Sequence, residues 1–199
     1  MSIIPDKPPF KLLDILYKKE FILFVVLVSI LIINSNISPY FLDLYNLIDS
    51  TFLFSEKAII ALTMTFVIIA RQIDLSVASI IAVSSVVLGY TTSLGYDTWL
   101  VLLLTLLSGA LCGAFNGAII TKFAIPSIIV TIGTMSLFRG LAYSFLEDSY
   151  YNKFPKLVGK LGGGYLYGYI PYAFLTFILL AFVFAFILHK TSIGKKIYS

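Results

Sequence analysis

Six apolar runs divided by short polar breaks set the pattern of this chain. They fall at about Phe21–Ile33, Thr51–Ala70, Leu75–Tyr90, Trp99–Ile120, Ile125–Phe145 and Ile170–Leu188. A helix needs roughly 20 residues to cross the hydrocarbon core of a bilayer. The fourth, fifth and sixth runs meet that length. The first meets it only by extending through Asn34–Pro39, and the third only by taking in Thr91–Leu94. The second must include Glu56 and Lys57 near one end, because its uninterrupted core, Ala58–Ala70, is short. The pattern predicts an all-α, polytopic transmembrane bundle of about six spans. Phe21–Ile33 has the basic flank of a signal peptide, but Asn34, Ser35 and Asn36 make a poor cleavage site, so an uncleaved first span is expected.

Composition agrees. Of 199 residues, 59% are hydrophobic and 12% charged, with a mean hydropathy of +0.99. A soluble domain carries about 25% charged residues, so this chain lacks the charge to cover a water-facing surface. Its net charge of +4 is spread between apolar runs rather than gathered on one face, which excludes a nucleic-acid footprint. One cysteine, Cys112, and one histidine, His189, leave no material for a disulfide, zinc or haem site. No paired acid/base or phosphate-cradling motif is present, so no catalytic residue and no metal ligand is expected. His189, beside Lys190 at the end of the last run, reads as an interfacial base near a helix C-terminus.

Basic residues give an expected orientation. With six spans both ends share a side, and that side holds Lys7, Lys11, Lys18, Lys19, Arg71, Lys122, Lys190, Lys195 and Lys196. The opposite side holds Lys57, Lys153, Lys156 and Lys160. The excess places both ends in the cytoplasm. The expected layout is a cytoplasmic segment at 1–20, a membrane domain at 21–188 and the start of a cytoplasmic loop at 189–199.

The stretch VIIARQIDLSVASII, Val67–Ile81, puts Arg71, Gln72 and Asp74 within four residues of an otherwise apolar region. The topology lays them at the turn between the second and third spans. There Asp74 and Ser76 suit a helix N-cap, and Arg71 is near enough in sequence to pair with Asp74. The shortness of both flanking runs also allows the turn to be drawn into the membrane. Irregular backbone survives at depth only when buried in protein or lining a cavity, and broken, short apolar segments mark transport sites.

Other positions invite function. Gly109, Gly113 and Gly117 repeat every four residues, which predicts a helix-packing groove. Asn116 lies beside it, and a buried amide needs either a structural partner or a polar path. Thr131, Gly133, Thr134 and Ser136 form a small polar patch in mid-span, either bonding back to their own helix or lining a wet passage. Arg139, four fifths of the way along that run, must snorkel or line water. Between the fifth and sixth runs, Glu147–Tyr169 carries Gly162–Gly164 and several tyrosines, as membrane-edge anchors or a docking surface.

VIIARQIDLSVASIIAVSSVV resembles the "VI..GGIDLSVGS..ALS" motif of sugar permeases in the ribose/xylose/rhamnose/autoinducer-2 branch of bacterial ABC importers. GALCGAFNGAIITKFAIPSIIVTIGTMSLFRGLAY, Gly109–Tyr143, is similar to the Gly-rich, Asn-Gly, Pro and TLGTM…RG elements of the same family, in order. HKTSIGKKIYS resembles its "T.FGR.IYA.G". Where most members have Gly-Gly, this chain has Arg71-Gln72, and a later Gly is Ala78.

The resemblance implies the N-terminal part of a ten-span type of permease, C-terminally truncated, in the bacterial inner membrane. Such a subunit moves a monosaccharide or similar polyol by alternating access. It implies a second permease subunit, two cytoplasmic ATPase subunits and an extracytoplasmic sugar-binding protein as partners. ATP would be used by the ATPases, with no cofactor on this chain. Asn116, Thr131, Thr134 and Arg139 become candidates for the substrate path. Arg71, Asp74 and Ser76 become the structural turn of the family motif, and Gly194, Lys195 and Lys196 the ATPase-facing start of a coupling loop. A non-transporting membrane scaffold is the alternative from another class.

Overall fold

The computed structural model describes residues 19–146 and 150–198. Lys7, Lys11, Lys18, Glu147 and Asp148, and with them nearly all of the 1–20 segment, lie outside the described residues. Chain contacts divide the protein at Ser50 into two units.

The first unit holds α1, Lys19–Ile37, and the first turns of α2, Leu44–Ile69. As required for a full span, α1 runs on past Ile33. Asn34 and Asn36 each donate a side-chain amide hydrogen to a carbonyl one turn back, Ile30 and Ile32, at 2.8 Å. Their polarity is thus satisfied inside the helix. Pro39 disfavours helical backbone at Ser38 and ends it. Asp43 then caps α2: its carboxylate accepts from the N–H of Tyr45 at 3.0 Å. That cap starts α2 seven residues before the expected Thr51, so Glu56 falls at the middle of a 26-residue helix rather than near its end.

In the second unit α2 continues and is followed by α3 (Val77–Ser93), α4 (Thr98–Phe123) and α5 (Ser127–Leu146). A short α6 (Lys156–Gly163) follows, then a hairpin of β1 (Tyr165–Leu166) and β2 (Ile170–Pro171), then α7 (Tyr172–Lys190) and α8 (Ser192–Tyr198). Five of these helices (α1, α2, α4, α5 and α7) are long and apolar enough to cross a membrane. With 17 residues, α3 is the short sixth. The connection after α5 is more ordered than a tyrosine-rich loop: Tyr167 and Gly168 take positive φ of 52° and 79° to close the antiparallel hairpin. Within the stretch expected as the start of a loop, His189 and Lys190 end α7 and Ser192–Tyr198 are helical.

The core of this unit is α3, which packs against both α4 and α5. Gly109 of α4 allows the closest approach: a Cβ there would sit 3.2 Å from the Ser84 hydroxyl. Ser108 and Ser84 hydroxyls meet at 3.3 Å beside it. The expected groove does not continue, since a Cβ on Gly113 or Gly117 would meet nothing within 4 Å. Four residues turn a helix by about 40° more than a full circle, so each glycine points further from α3 than the last. Phe115 and Phe138 join α4 to α5 edge-on at 6.1 Å. Phe66 of α2 meets Phe184 of α7 at 5.1 Å. Few large side chains are buried, and the apolar faces turned outward match lipid as their solvent.

The end of α2 is closed by a left-handed residue. The Arg71 N–H donates to the Ile68 carbonyl at 2.9 Å and the Gln72 N–H to the Val67 carbonyl at 3.0 Å. This is a Schellman cap, which needs a left-handed residue. Arg71 supplies it with φ of 56°. The same cap recurs after α3, where Gly95 takes φ of 76° at no steric cost. A branched side chain suffers most in this region. Arg71→Val is therefore expected to lower stability by about 1–2 kcal/mol, with Arg71→Gly at least as stable as wild type. Thermal and SDS unfolding followed by circular dichroism would show the order Gly, Arg, Val.

Candidate functional site

Between α2 and α3 the backbone leaves helical geometry over residues 72–76. Backbone N–H and C=O groups there lose their helical partners, and lipid offers none. Two side chains of one other helix supply partners for Ile73. The Ile73 N–H donates to the Ser127 hydroxyl at 3.0 Å. The Ile73 carbonyl accepts from the Thr131 hydroxyl at 3.3 Å. Both partners lie on the first turns of α5. Asp74 satisfies a third group, accepting the Ser76 N–H at 2.7 Å in an Asx turn.

From this turn a directed chain of hydrogen bonds reaches α4. The Asn116 amide donates to the Ser76 hydroxyl at 2.8 Å, and that hydroxyl donates to the Asp74 carboxylate at 2.7 Å. Ser76 has one proton and gives it to Asp74, so towards Asn116 it only accepts. That fixes the amide with its nitrogen facing Ser76. Asn116 is seven residues before the end of α4, about 10 Å along the helix. The break thus follows the end of a span-length α2 and meets the start of α5, while reaching about 10 Å into α4 through Ser76.

Several expectations change here. Ser76 stands at the N-cap position of α3, but its side chain does not cap the helix. It is engaged with Asp74 and Asn116 instead. Arg71 forms no ion pair with Asp74; it is exposed and serves as the cap described above. Asp74 does act locally, as expected of a residue fixing the turn.

The four candidates for the path separate. Asn116, Thr131 and Thr134 are 4%, 1% and 6% exposed and sit in the seams among α3, α4 and α5. Arg139 lines an open cavity at the Leu146 end of α5. At the other end of the chain, the Thr191 hydroxyl accepts the Gly194 N–H at 3.3 Å and caps α8. A Cβ on Gly194 would strike the Leu188 carbonyl, so glycine is needed at the α7–α8 corner. Lys195 and Lys196 are exposed on α8.

Sequence reasoning missed Glu56. It lines a cavity of about 440 Å³ with Met64 of α2 and with Asp74, Ala78 and Ile81. Its signal was available in Asp43, the cap that lengthens α2. Two carboxylates on an otherwise apolar cavity present hydrogen-bond acceptors to whatever enters it. Among the described residues no cluster able to hold a metal ion is found.

A family model described as the permease component of the branched-chain amino acid transport system matches residues 46–199. The chain belongs to this permease family. Among its relatives is the autoinducer 2 import system permease protein LsrC of Escherichia coli O9:H4 (strain HS). It is 35% identical over 141 residues, 71% of this chain and 41% of the relative. The LsrC protein of Photorhabdus laumondii is 32% identical over 176 residues, 87% of this chain and 53% of its own length. The permease thus spans about half the length of these relatives, or less. No solved structure matches it. All of α3, α4 and α5, and so the whole pinned turn, falls inside the matched region.

Removing the Ser76 hydroxyl leaves the buried Asn116 amide without its acceptor. Ser76→Ala is expected to cost about 1–3 kcal/mol, and adding Asn116→Ala should cost much less than the sum of the two. A double-mutant cycle by SDS titration measures this coupling; strict additivity would show that the two groups do not act together.

Proposed function

We propose that this permease is the transmembrane subunit of an ABC importer that carries a monosaccharide or similar polyol across the bacterial cytoplasmic membrane. The observation that carries the reading is the unwound segment 72–76, held between helices and opening beside the Glu56–Asp74 cavity. Discontinuous helices of this kind form substrate sites in transporters. Carboxylate oxygens accept the hydroxyl protons of a polyol, and the apolar walls take its carbon face.

Under this reading a second permease subunit completes the path. Two cytoplasmic ATPase subunits hydrolyse ATP, and an extracytoplasmic binding protein delivers the sugar. Both ends of the chain face the cytoplasm, and the α7–α8 corner with Gly194, Lys195 and Lys196 meets an ATPase. No catalytic group is required of this chain. Alternating access is a redistribution between two packings of α3 against α4 and α5, with Asn116, Thr131 and Thr134 exposed to the path in one of them. A non-transporting scaffold is the second reading, favoured by the burial of Thr131 and Thr134.

Cysteine accessibility separates the two. In a Cys112→Ser background, Thr131→Cys and Thr134→Cys are placed in the permease complexed with its ATPase. The importer reading expects the rate of reaction with a water-soluble thiosulfonate to change at least tenfold between nucleotide-free and ATP-bound complexes. A scaffold gives equal, slow rates in both. In a transport-competent complex, Asp74→Asn is expected to reduce sugar uptake at least tenfold at equal expression, measured with radiolabelled substrate.

A further inference from the structure

A second cavity, of about 580 Å³, lies at the far end of the α3–α5 pair. Small-ligand sites commonly span about 300–1,000 Å³. Arg139 and Tyr143 of α5, Ser85 of α3, and Tyr150, Tyr151 and Phe154 line it. The Tyr151 ring is seated on Gly89 of α3: a Cβ on that buried glycine would fall 2.6 Å from two ring carbons. This contact seats the stretch that carries Tyr150, Tyr151 and Phe154 as a wall.

Arg139 is seven residues short of the end of α5, about 10 Å from it. It makes no ion pair among the described residues, and no carboxylate among them lines the cavity. A guanidinium stays charged in proteins and has five N–H donors but no acceptor. Arg139 is exposed, so its charge is open to a ligand that enters the cavity. Its planar fork matches the paired oxygens of a carboxylate or phosphate. The hydroxyls of Ser85, Tyr143, Tyr150 and Tyr151 both donate and accept, which suits a hydroxylated body beside the anionic group.

We propose that the Arg139 cavity is a binding site for a small oxyanion-bearing ligand, whose carboxylate or phosphate oxygens engage the guanidinium. The site is separate from the Glu56–Asp74 cavity, and its occupancy does not depend on transport. The oxyanion belongs either to a soluble molecule or to a lipid headgroup.

Gluconate and sorbitol make a matched pair of probes, differing in a carboxylate at one end. The 199-residue chain in phosphatidylcholine nanodiscs is titrated with each by calorimetry. Gluconate is expected to bind at least tenfold more tightly than sorbitol. Arg139→Gln should bring the ratio close to one, and Gly89→Leu, which forces Tyr151 off α3, should weaken gluconate binding. Repeating the titration in phosphatidylglycerol nanodiscs identifies the source. Loss of gluconate binding there means that a lipid headgroup occupies the same oxyanion site; unchanged binding means that a soluble molecule does. Absent gluconate binding, equal affinity for both probes in the wild type, or a preference that survives Arg139→Gln would overturn the proposal. The wild-type comparison decides the matter even where a variant fails to fold. Loss of uptake with gluconate binding intact would count against the importer reading alone.

Discussion

Backbone polar groups released between α2 and α3 lose their helical partners, and the contacts of the second unit around the break follow from that loss. A continuous helix would satisfy them internally. This chain instead breaks at Gln72–Ser76 and recruits Ser127 and Thr131 from α5 and Asp74 from the break itself, while Asn116 of α4 holds the Ser76 hydroxyl. Each unsatisfied group in hydrocarbon costs several kcal/mol, so α4 and α5 cannot leave α3 without replacement partners. The position of α3 between them, and the close approach at Gly109, belong to the same bargain.

A helix held this way is both fixed and switchable. Besides the Asp74 carboxylate its partners are hydroxyls and an amide, which can exchange one acceptor for another without carrying charge. The Asn116 oxygen and the Ser79 hydroxyl are buried with no partner of their own. They mark this seam as incompletely satisfied where most proteins leave few such atoms. Two cavities flank α3 towards its opposite ends, one bearing Glu56 and Asp74 and the other Arg139. Because α3 contributes to both, a shift of this one short helix alters both linings together.

Much of this was legible in the residues. Hydropathy places the six apolar helices though not their ends, because a span must bury its own backbone bonds and expose apolar side chains to lipid; the start of α2 and the short α6 and α8 lay outside it. The shortness of the third run survives as the 17-residue α3. The oddity of Arg71, Gln72 and Asp74 in an apolar stretch correctly marks the break, since polar groups are costly there unless used. The left-handed backbone at Arg71 was not read from the sequence, because arginine carries no signal for it.

Helix identity, membrane class and the position of the break were thus determined by the sequence itself, because hydrophobic period and chain reversal are local properties. Tertiary structure decided which polar atom meets which. Ser76 and Asn116 are 40 residues apart, Ile73 and Thr131 58 apart, and no local pattern pairs them. The same holds for Gly109, which packs while Gly113 and Gly117 do not. Spacing gives a face of a helix, but only the neighbouring helix, with its own axis and length, determines how far along that face contact runs.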